Sequence, residues 1–355
     1  MDHGKTLIAM SGGVDSSVAV WLMLRAGARC EGVYMQMCDK AILGKEPGQD
    51  ASDAAHVANK LQIPFHVLDA THAFKESVIA PFIEDYEKGL TPNPCIYCNR
   101  KMKFGWLLEQ ALALGCETLV TGHYARIMYN EATGRYLLKK AVDESKDQTY
   151  FLACLNQHQL SHICLPLGEL TKEQVRQIAL EQGFINARKR DSQDICFIPD
   201  GDYKAFMERY TQKQYPCGDY LNLTGHVVGT HTGAVGYTIG QRKGLGLALG
   251  APVYVCSKDM ASNTVTVGSN ADLFKSTLLA DDWNWMPFSA LTQSIRVSAK
   301  VRYRHTPQNA TVYPEDNGSA RVVFDEPQRA ITCGQAVVLY DGDLVIGSGT
   351  IRQVL

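Results

Sequence analysis

The sequence predicts an α/β protein in which a doubly wound parallel sheet is followed by two β-rich modules. Short apolar runs alternate with helical patterns through the first two hundred residues. Glycines then become denser, and from about residue 277 the chain shows the period-two pattern of antiparallel strands. We therefore expect a Rossmann-like domain over 1–204, a small β-rich central domain over 205–275 and a C-terminal antiparallel β-barrel over 276–355.

The elements of the first domain follow from its hydrophobic pattern. Strands are predicted over 5–10, 30–37, 64–70 and 116–124, and helices over 14–27, 50–61, 72–88 and 99–114. Ligands of doubly wound sheets bind at the carboxyl ends of the strands. We expect the functional site at that edge.

Composition narrows the class of protein. The net charge of −2 excludes polyanion binding by bulk charge, although local basic patches occur at 99–103, 186–190, 240–244 and 301–305. No apolar run approaches the roughly 20 residues of a membrane span, and the N-terminus does not resemble a signal peptide. We expect a cytoplasmic protein without a membrane partner, whose 11 cysteines are core residues, metal ligands or reactive thiols rather than disulfides.

A glycine- and serine-rich loop at 10–17 lies between the first predicted strand and the first predicted helix. Its two glycines let the backbone approach a phosphate, its three serines offer hydroxyls, and the helix N-terminus adds free N–H groups. Asp15 is a candidate ligand for the Mg²⁺ that accompanies a nucleotide. The string SGGVDSS resembles the pyrophosphate loop (PP-loop) of the ATP pyrophosphatases, enzymes that adenylate a carbonyl oxygen.

Two further motifs contain cysteines. In the segment 91–104, two prolines predict a rigid loop that ends where a helix begins, and Cys98 follows with Arg100, Lys101 and Lys103 close by. A helix N-terminus and nearby cations favour a thiolate. The alternative is half of a structural zinc site, although a second CxxC is absent from the sequence. Cys196 lies in the other motif, 191–198.

Together these strings closely resemble the tRNA 2-thiouridylases of the MnmA/TrmU family. The similarity covers nearly the whole chain and includes AMSGGVDSS, TGHYAR, KDQTYFL, DICFI, GQRKGLG, VRYRH and FDEPQRAITCGQAVVLYDGD. It implies ATP-dependent 2-thiolation of the wobble uridine: the uracil C2 oxygen is adenylated, and a thiolate-derived sulfur then replaces AMP. Implied partners are the anticodon arms of Lys, Gln and Glu tRNAs and a sulfur-relay or cysteine desulfurase donor, with ATP and Mg²⁺ as cofactors.

The resemblance also implies residue roles. Cys98 matches the family's nucleophile and Cys196 its persulfide-carrying cysteine. The residues that match the ATP site are Ala9, Met10, Ser11, Gly12, Gly13, Val14, Asp15, Ser16, Met35 and Gly122. Those that match contacts with the target base are Asn93, Pro94 and Cys95. Those that match other tRNA contacts are His123, Lys146, Asp147, Gln148, Arg302, Tyr303 and Gln335.

Cys95 departs from the commonest family pattern, in which an Asp stands at this position. With Cys98 and Cys196 it makes three thiols, the number that can hold a [4Fe–4S] cluster with one open iron. The sequence leaves two mechanisms open, sulfur transfer from a cysteine persulfide and transfer from a cluster. It also leaves two rival functions: another PP-loop adenylating synthetase, which would not need these cysteines, and a non-catalytic zinc- and RNA-binding protein, which would not need the loop at 10–17.

Overall fold

A computed structural model describes residues 4–44, 46–189 and 195–355. Its strands, in chain order, are β1 (Lys5–Ala9), β2 (Arg29–Gln36), β3 (Phe65–Asp69), β4 (Thr118–Val120), β5 (Arg126–Asn130), β6 (Arg135–Lys139), β7 (Ile163–Cys164), β8 (Gly218–Leu221), β9 (Val227–His231), β10 (Tyr254–Asp259), β11 (Thr264–Gly268), β12 (Phe274–Trp285), β13 (Ile295–Lys300), β14 (Gln308–Pro314), β15 (Ala320–Arg329), β16 (Ala336–Asp341) and β17 (Leu344–Val354).

The helices lie mainly in the first domain. They are α1 (Val14–Arg25), α2 (Lys40–Leu43), α3 (Asp50–Lys60), α4 (Thr71–Phe74), α5 (Ala80–Glu87), α6 (Pro94–Tyr97), α7 (Leu107–Ala113), α8 (Thr149–Leu152), α9 (Gln157–Ser161), α10 (Lys172–Glu181) and α11 (Tyr203–Thr211). A π-helical segment, Lys75–Ile79, joins α4 to α5, and another, Cys98–Trp106, joins α6 to α7. Single 3₁₀ turns occur at Ala234–Gly236, Ala271–Leu273 and Asp316–Gly318.

Five strands of the first domain form a parallel sheet in the order β3-β2-β1-β4-β7. Leu7 and Ile8 are both fully buried, and they belong to separate apolar clusters because successive side chains of a strand point to opposite faces. Burial on both faces explains why these strands have continuous apolar sequences. The doubly wound sheet predicted from the sequence is confirmed.

The helix predicted over 99–114 begins earlier, at Pro94. The Asn93 side chain accepts a hydrogen bond from the backbone N–H of Cys95, and proline occupies the first helical position. Both features are typical of a helix start. Cys98 consequently lies in the second turn of a long helical segment rather than at its N-terminus.

The central domain forms a four-stranded sheet in the order β10-β11-β8-β9. The C-terminal strands follow the order β12-β15-β14-β13-β16-β17, and pairing of β12 with β17 closes them into a six-stranded antiparallel barrel. Both predicted modules are therefore confirmed. In the described part of the chain, no helix is long and apolar enough to cross a membrane.

One feature of the barrel was not expected from the sequence. The β5–β6 hairpin extends the barrel sheet through the pairing of Leu344 with Lys139. Tyr340 of β16 is fully buried in the same apolar cluster as Leu7 of β1. The barrel therefore shares a core with the parallel sheet.

Candidate active site

The loop between β1 and α1 is held in one conformation by close backbone contacts. Gly12 has a φ of +72°, and a Cβ there would collide with the backbone oxygen of Asp50. Ser16 accepts a hydrogen bond from Ser11 N–H at 3.2 Å, and the α1 N-terminus has no side-chain cap. The backbone N–H groups at this end of α1 are available for an anion, as expected for a phosphate-binding loop.

Gly122, which follows β4, packs directly against the first turn of α1. A Cβ at Gly122 would lie 2.7 Å from the carbonyl carbon of Asp15 and 2.7 Å from the backbone nitrogen of Ser16. Val33 of β2 accepts a hydrogen bond from Met10 N–H at 2.7 Å, which ties the loop to the sheet. The predicted nucleotide residues Ala9–Ser16, Met35 and Gly122 thus come from the carboxyl ends of three neighbouring strands.

The carboxylate of Asp15 is paired with an ammonium group that sequence reasoning missed. Lys172 Nζ lies 2.7 Å from Oδ1 and 2.8 Å from Oδ2 of Asp15. Tyr124 donates a further hydrogen bond to Oδ1 at 2.8 Å. Lys172 is the first residue of α10, and the helix start was visible in the sequence as the capping box from Thr171 to Gln174. A Mg²⁺ ion at Asp15 would have to displace this ammonium.

Two more residues missed from the sequence contact the loop. Asn186 donates from Nδ2 to Gly12 O at 3.1 Å and to Ser17 Oγ at 2.9 Å. Lys189 donates to Gly12 O at 3.2 Å and forms ion pairs with Asp50 and Asp53, each at 2.7 Å. Lys189 belongs to the basic patch predicted at 186–190. That lysine faces the nucleotide loop.

Cys98 is buried, which corrects the expectation of an activated thiolate. Its side chain is 8% exposed, and its Sγ lies 3.7 Å from Met37 Sδ. Burial raises the pKa of Cys98 to about 12, and the nearby cation Lys103 only partly opposes that rise. Arg100 is instead paired with Asp282 in the barrel. Burial disfavours the charged form of a thiol, and at Cys98 its effect on the pKa is larger than the opposing effect of the Lys103 charge.

Cys95 and Cys196 are more accessible. Both are exposed. Burial by the surrounding protein nevertheless raises the pKa of Cys95. A hydrogen bond with Cys38 and then burial raise the pKa of Cys196 well above its ordinary value. The motif around Cys196 is described only in part, because residues 191–194 lie outside the described residues.

The three predicted thiols converge. Cys95 and Cys196 both influence the pKa of Cys98, and Lys103 acts on all three cysteines. Within residues 4–44, 46–189 and 195–355, however, no group of three Cys, His, Asp or Glu side chains is arranged to hold a metal ion. The described residues therefore do not fit a preformed cluster site.

Comparison with known proteins identifies the family. Residues 4–200 match the model of the tRNA methyl transferase HUP domain, 204–269 that of the tRNA methyl transferase PRC-barrel domain and 275–351 that of the aminomethyltransferase beta-barrel domain. The tRNA-specific 2-thiouridylase MnmA of Clostridioides difficile is 46% identical over 99% of both chains. That of Acetivibrio thermocellus is 46% identical over 99% of this chain and 100% of its own length. The chain belongs to the MnmA family of tRNA-specific 2-thiouridylases.

Several residues that match MnmA-family tRNA contacts have structural partners. Gln335 Nε2 donates to Thr91 O at 2.7 Å, and Thr91 N–H donates to Cys333 O at 2.9 Å. These bonds fix the loop before Pro94 to the barrel. Arg302 donates to Ala330 O and Thr332 Oγ1. Gln335 therefore ties the barrel to the first domain, whereas the hydrogen bonds of Arg302 lie within the barrel.

The remaining tRNA-contact candidates lie around α8. Asp147 is buried and accepts from Thr149 Oγ1 at 2.6 Å, and Gln148 Oε1 accepts from Tyr124 N–H at 2.8 Å. Tyr303 packs on Phe151 with ring centroids 4.4 Å apart. Lys146 is half-buried there, and Asn93, at the start of α6, is also half-buried.

His123 lies beneath the surface. It is 9% exposed, and its Nδ1 is 2.7 Å from Thr121 Oγ1 while its Nε2 is 3.4 Å from Lys103 Nζ. Burial, followed by the charge of Lys103, lowers the pKa of His123 well below its ordinary value. The ring is therefore neutral at physiological pH. The contact with Lys103 places the His123 ring next to the cation that lies near Cys98.

Proposed function

We propose that this chain uses ATP to replace the C2 oxygen of the tRNA wobble uridine with sulfur. Membership of the 2-thiouridylase family gives the reaction class. The observation that carries the proposal is the position of β2 between the nucleotide loop and the thiols. Val33 of β2 accepts a hydrogen bond from Met10 N–H at 2.7 Å, and Met37, which directly follows β2, has its Sδ 3.7 Å from Cys98 Sγ. We infer that adenylation and sulfur transfer use one shared site at this edge of the sheet.

The first step requires a polarised uracil carbonyl and a stabilised leaving group. The C2 oxygen attacks the α-phosphate of ATP and displaces pyrophosphate. The free N–H groups at the start of α1 and the ammonium groups of Lys172 and Lys189 face the region where this charge develops. Mg²⁺, when bound, would offset the charge of the departing pyrophosphate. AMP on the oxygen then makes C2 a good electrophile.

The second step is sulfur transfer from a persulfide on Cys196. Cys196 is exposed, so an external donor such as a cysteine desulfurase or a sulfur-relay protein has access to it. The terminal sulfur attacks C2 and AMP leaves, which joins the base to Cys196 through a disulfide. A dithiol reductant then supplies the two electrons that break this disulfide, so that the sulfur stays on C2 and Cys196 returns to a thiol. The charge of Lys103 partly opposes the rise in the pKa of Cys95, Cys98 and Cys196, so Lys103 is positioned to stabilise negative sulfur. The described residues do not form a preformed site for an iron–sulfur cluster, so the persulfide is the sulfur carrier in this proposal.

The substrate enters at the start of α6. Cys95 is exposed there, and Asn93 and Pro94 fix the direction of the helix. A base must be unstacked to enter an active site, and a wobble nucleotide in the anticodon loop is suited to this. We infer that the anticodon arms of Lys, Gln and Glu tRNAs are the substrates, and that the enzyme acts in the cytoplasm.

Two activities of the purified protein test the proposal, tRNA-dependent pyrophosphate release and formation of 2-thiouridine. Asp15→Ala should lose both, because the nucleotide loop would lose its carboxylate. Cys196→Ala should keep pyrophosphate release and lose thiolation. The matched control is Cys217→Ala, which changes an exposed cysteine of the central domain. Normal thiolation by Asp15→Ala or by Cys196→Ala would contradict the proposal.

A further inference from the structure

The helical segment that contains Cys98 is not a regular α-helix. At the end of α6, Cys98 N–H donates to Pro94 O, four residues earlier, as in an α-helix. The segment Cys98–Trp106 is π-helical, and after it Leu107 N–H donates to Met102 O, five residues earlier. Such π-helical turns inside a longer helix are rare and are frequently found at functional sites. The contacts of this segment show what holds the wider turn.

Gln159 of α9 binds the backbone of the π-helical segment. Its buried side chain donates from Nε2 to Arg100 O at 3.0 Å and to Phe104 O at 2.8 Å. In a regular α-helix, Arg100 O would accept from Phe104 N–H instead. A side chain that inserts among the main-chain hydrogen bonds of a helix changes the helix at that point. Gly105 fits the same turn, because a Cβ there would lie only 3.0 Å from Arg100 O.

The wider turn changes which side chains share a side of the helix. Cys98 and Lys103 both lie in the π-helical segment, five residues apart. In an α-helix, residues five apart point in directions that differ by about 140° around the axis. In a π-helix, whose hydrogen bonds join residues five apart, they lie nearly one above the other. The π-helical turn therefore brings the Lys103 ammonium to the side of the helix on which Cys98 lies.

We propose that Gln159 is a positioning residue for sulfur transfer, which holds the π-helical turn and so keeps Lys103 on the side of the helix that faces the thiols. The inference rests on the proposed function, in which Lys103 stabilises negative sulfur. Gln159 acts through the backbone of Arg100 and Phe104 rather than on the reacting atoms. Without its two hydrogen bonds, the segment should adopt α-helical hydrogen bonding, and Lys103 should turn away from Cys98.

The first test is Gln159→Glu. Gln159 Oε1 accepts from Asn156 N–H at 3.0 Å in the capping box of α9, and a glutamate keeps this acceptor but cannot donate to two carbonyl groups. Gln174→Glu is the matched control, because Gln174 Oε1 accepts from Thr171 N–H at 2.8 Å in the capping box of α10.

Gln159→Glu should keep tRNA-dependent pyrophosphate release and lower the single-turnover rate of thiolation by about two orders of magnitude, because a charged group is misplaced. Gln174→Glu should keep both activities. The enzymes are loaded with glutathione persulfide and mixed with ATP, unmodified tRNA and dithiothreitol. Thiolation by Gln159→Glu at the wild-type rate would overturn the inference. Absence of thiolation by the wild type would instead contradict the proposed function.

Gly105→Ala gives an independent readout that leaves Gln159 and the charge of the protein unchanged. Alanine favours an α-helix more than glycine does, and its Cβ would crowd Arg100 O. This variant should also thiolate slowly. In addition, the midpoint pH for alkylation of Cys95, followed by peptide mass spectrometry, should rise, because the charge of Lys103 opposes the raised pKa of Cys95 in the wild type. An unchanged midpoint would show that the segment has only a structural role and would overturn the inference.

Discussion

The ammonium of Lys172 bridges both carboxylate oxygens of Asp15, at 2.7 and 2.8 Å, although the two residues are 157 positions apart. Lys172 is 8% exposed, whereas the side chain of Asp15 is 31% exposed, so water reaches the pair from the side of Asp15. A metal ion bound with a nucleotide at the loop would compete with Lys172 for the Asp15 carboxylate. We expect the Lys172 ammonium to bind the phosphates in that state.

The first prediction follows from that pair. Lys172→Met should lower tRNA-dependent pyrophosphate release by about two orders of magnitude, because a cation beside the leaving group is lost. Lys275→Met, at an exposed position of the barrel, is the control. Steady-state pyrophosphate release is the measurement. Unchanged release by Lys172→Met would show that the ammonium only stabilises the fold.

The second prediction concerns RNA docking. Arg242 and Lys243 are exposed, whereas burial lowers the pKa of Arg302, and Arg302 binds Ala330 O. Arg242→Glu with Lys243→Glu should weaken tRNA binding and reduce the slope of log affinity against log salt by about 2. Arg302→Ala should chiefly lower thermal stability. Filter binding over a salt series and thermal melts separate these effects. An unchanged salt slope in the double variant would exclude this patch from the RNA interface.

The third prediction concerns pH and Lys258. Burial lowers the pKa of Lys258 to about 8, and among the described residues its Nζ has no hydrogen-bond partner. The unfolded chain binds this proton more tightly, so stability should rise as pH increases through 8 toward the unfolded value of about 10.4. Lys258→Met should be more stable than wild type by about 3 kcal/mol below pH 8. Chemical denaturation from pH 6.5 to 9.5 tests this. Equal pH dependence in both proteins would refute it.

The fourth prediction separates the two sulfur mechanisms. Cys95 is exposed in the first turn of α6, where an aspartate side chain is favourable. In the persulfide mechanism Cys95→Asp keeps thiolation, because Cys95 carries no sulfur. A cluster that needs three cysteine ligands would be lost, together with its visible absorbance. An active, colourless Cys95→Asp enzyme is the expected result, and loss of both absorbance and activity would contradict it.

The sequence predicted the parts of the site that lie in continuous motifs. The loop at 10–17, the rigid turn before Pro94 and the order of strands and helices all depend on local pattern, and the structure contains them. Contacts between distant segments were not predictable in this way. The start of α10 was readable as a capping box, but the direction of Lys172 depends on how α10 packs on α1.

Burial explains the main error. Cations near Cys98 in the sequence suggested a thiolate, yet Arg100 turns to Asp282 and the thiol itself is enclosed. Pairing of β17 with β6 likewise required the folded chain. The predicted domain boundaries and the assignments of individual residues to ATP and tRNA stay predictions.

The most direct measurement follows isotopically labelled sulfur from Cys196 to the tRNA. The protein is loaded with labelled persulfide, mixed with ATP and unmodified glutamate tRNA, and the tRNA is digested and mapped by mass spectrometry. Our account predicts one labelled sulfur at C2 of the wobble uridine, formed only with ATP and absent when Cys196→Ala is used. Labelling without ATP, labelling by Cys196→Ala, or sulfur at another nucleotide would contradict it.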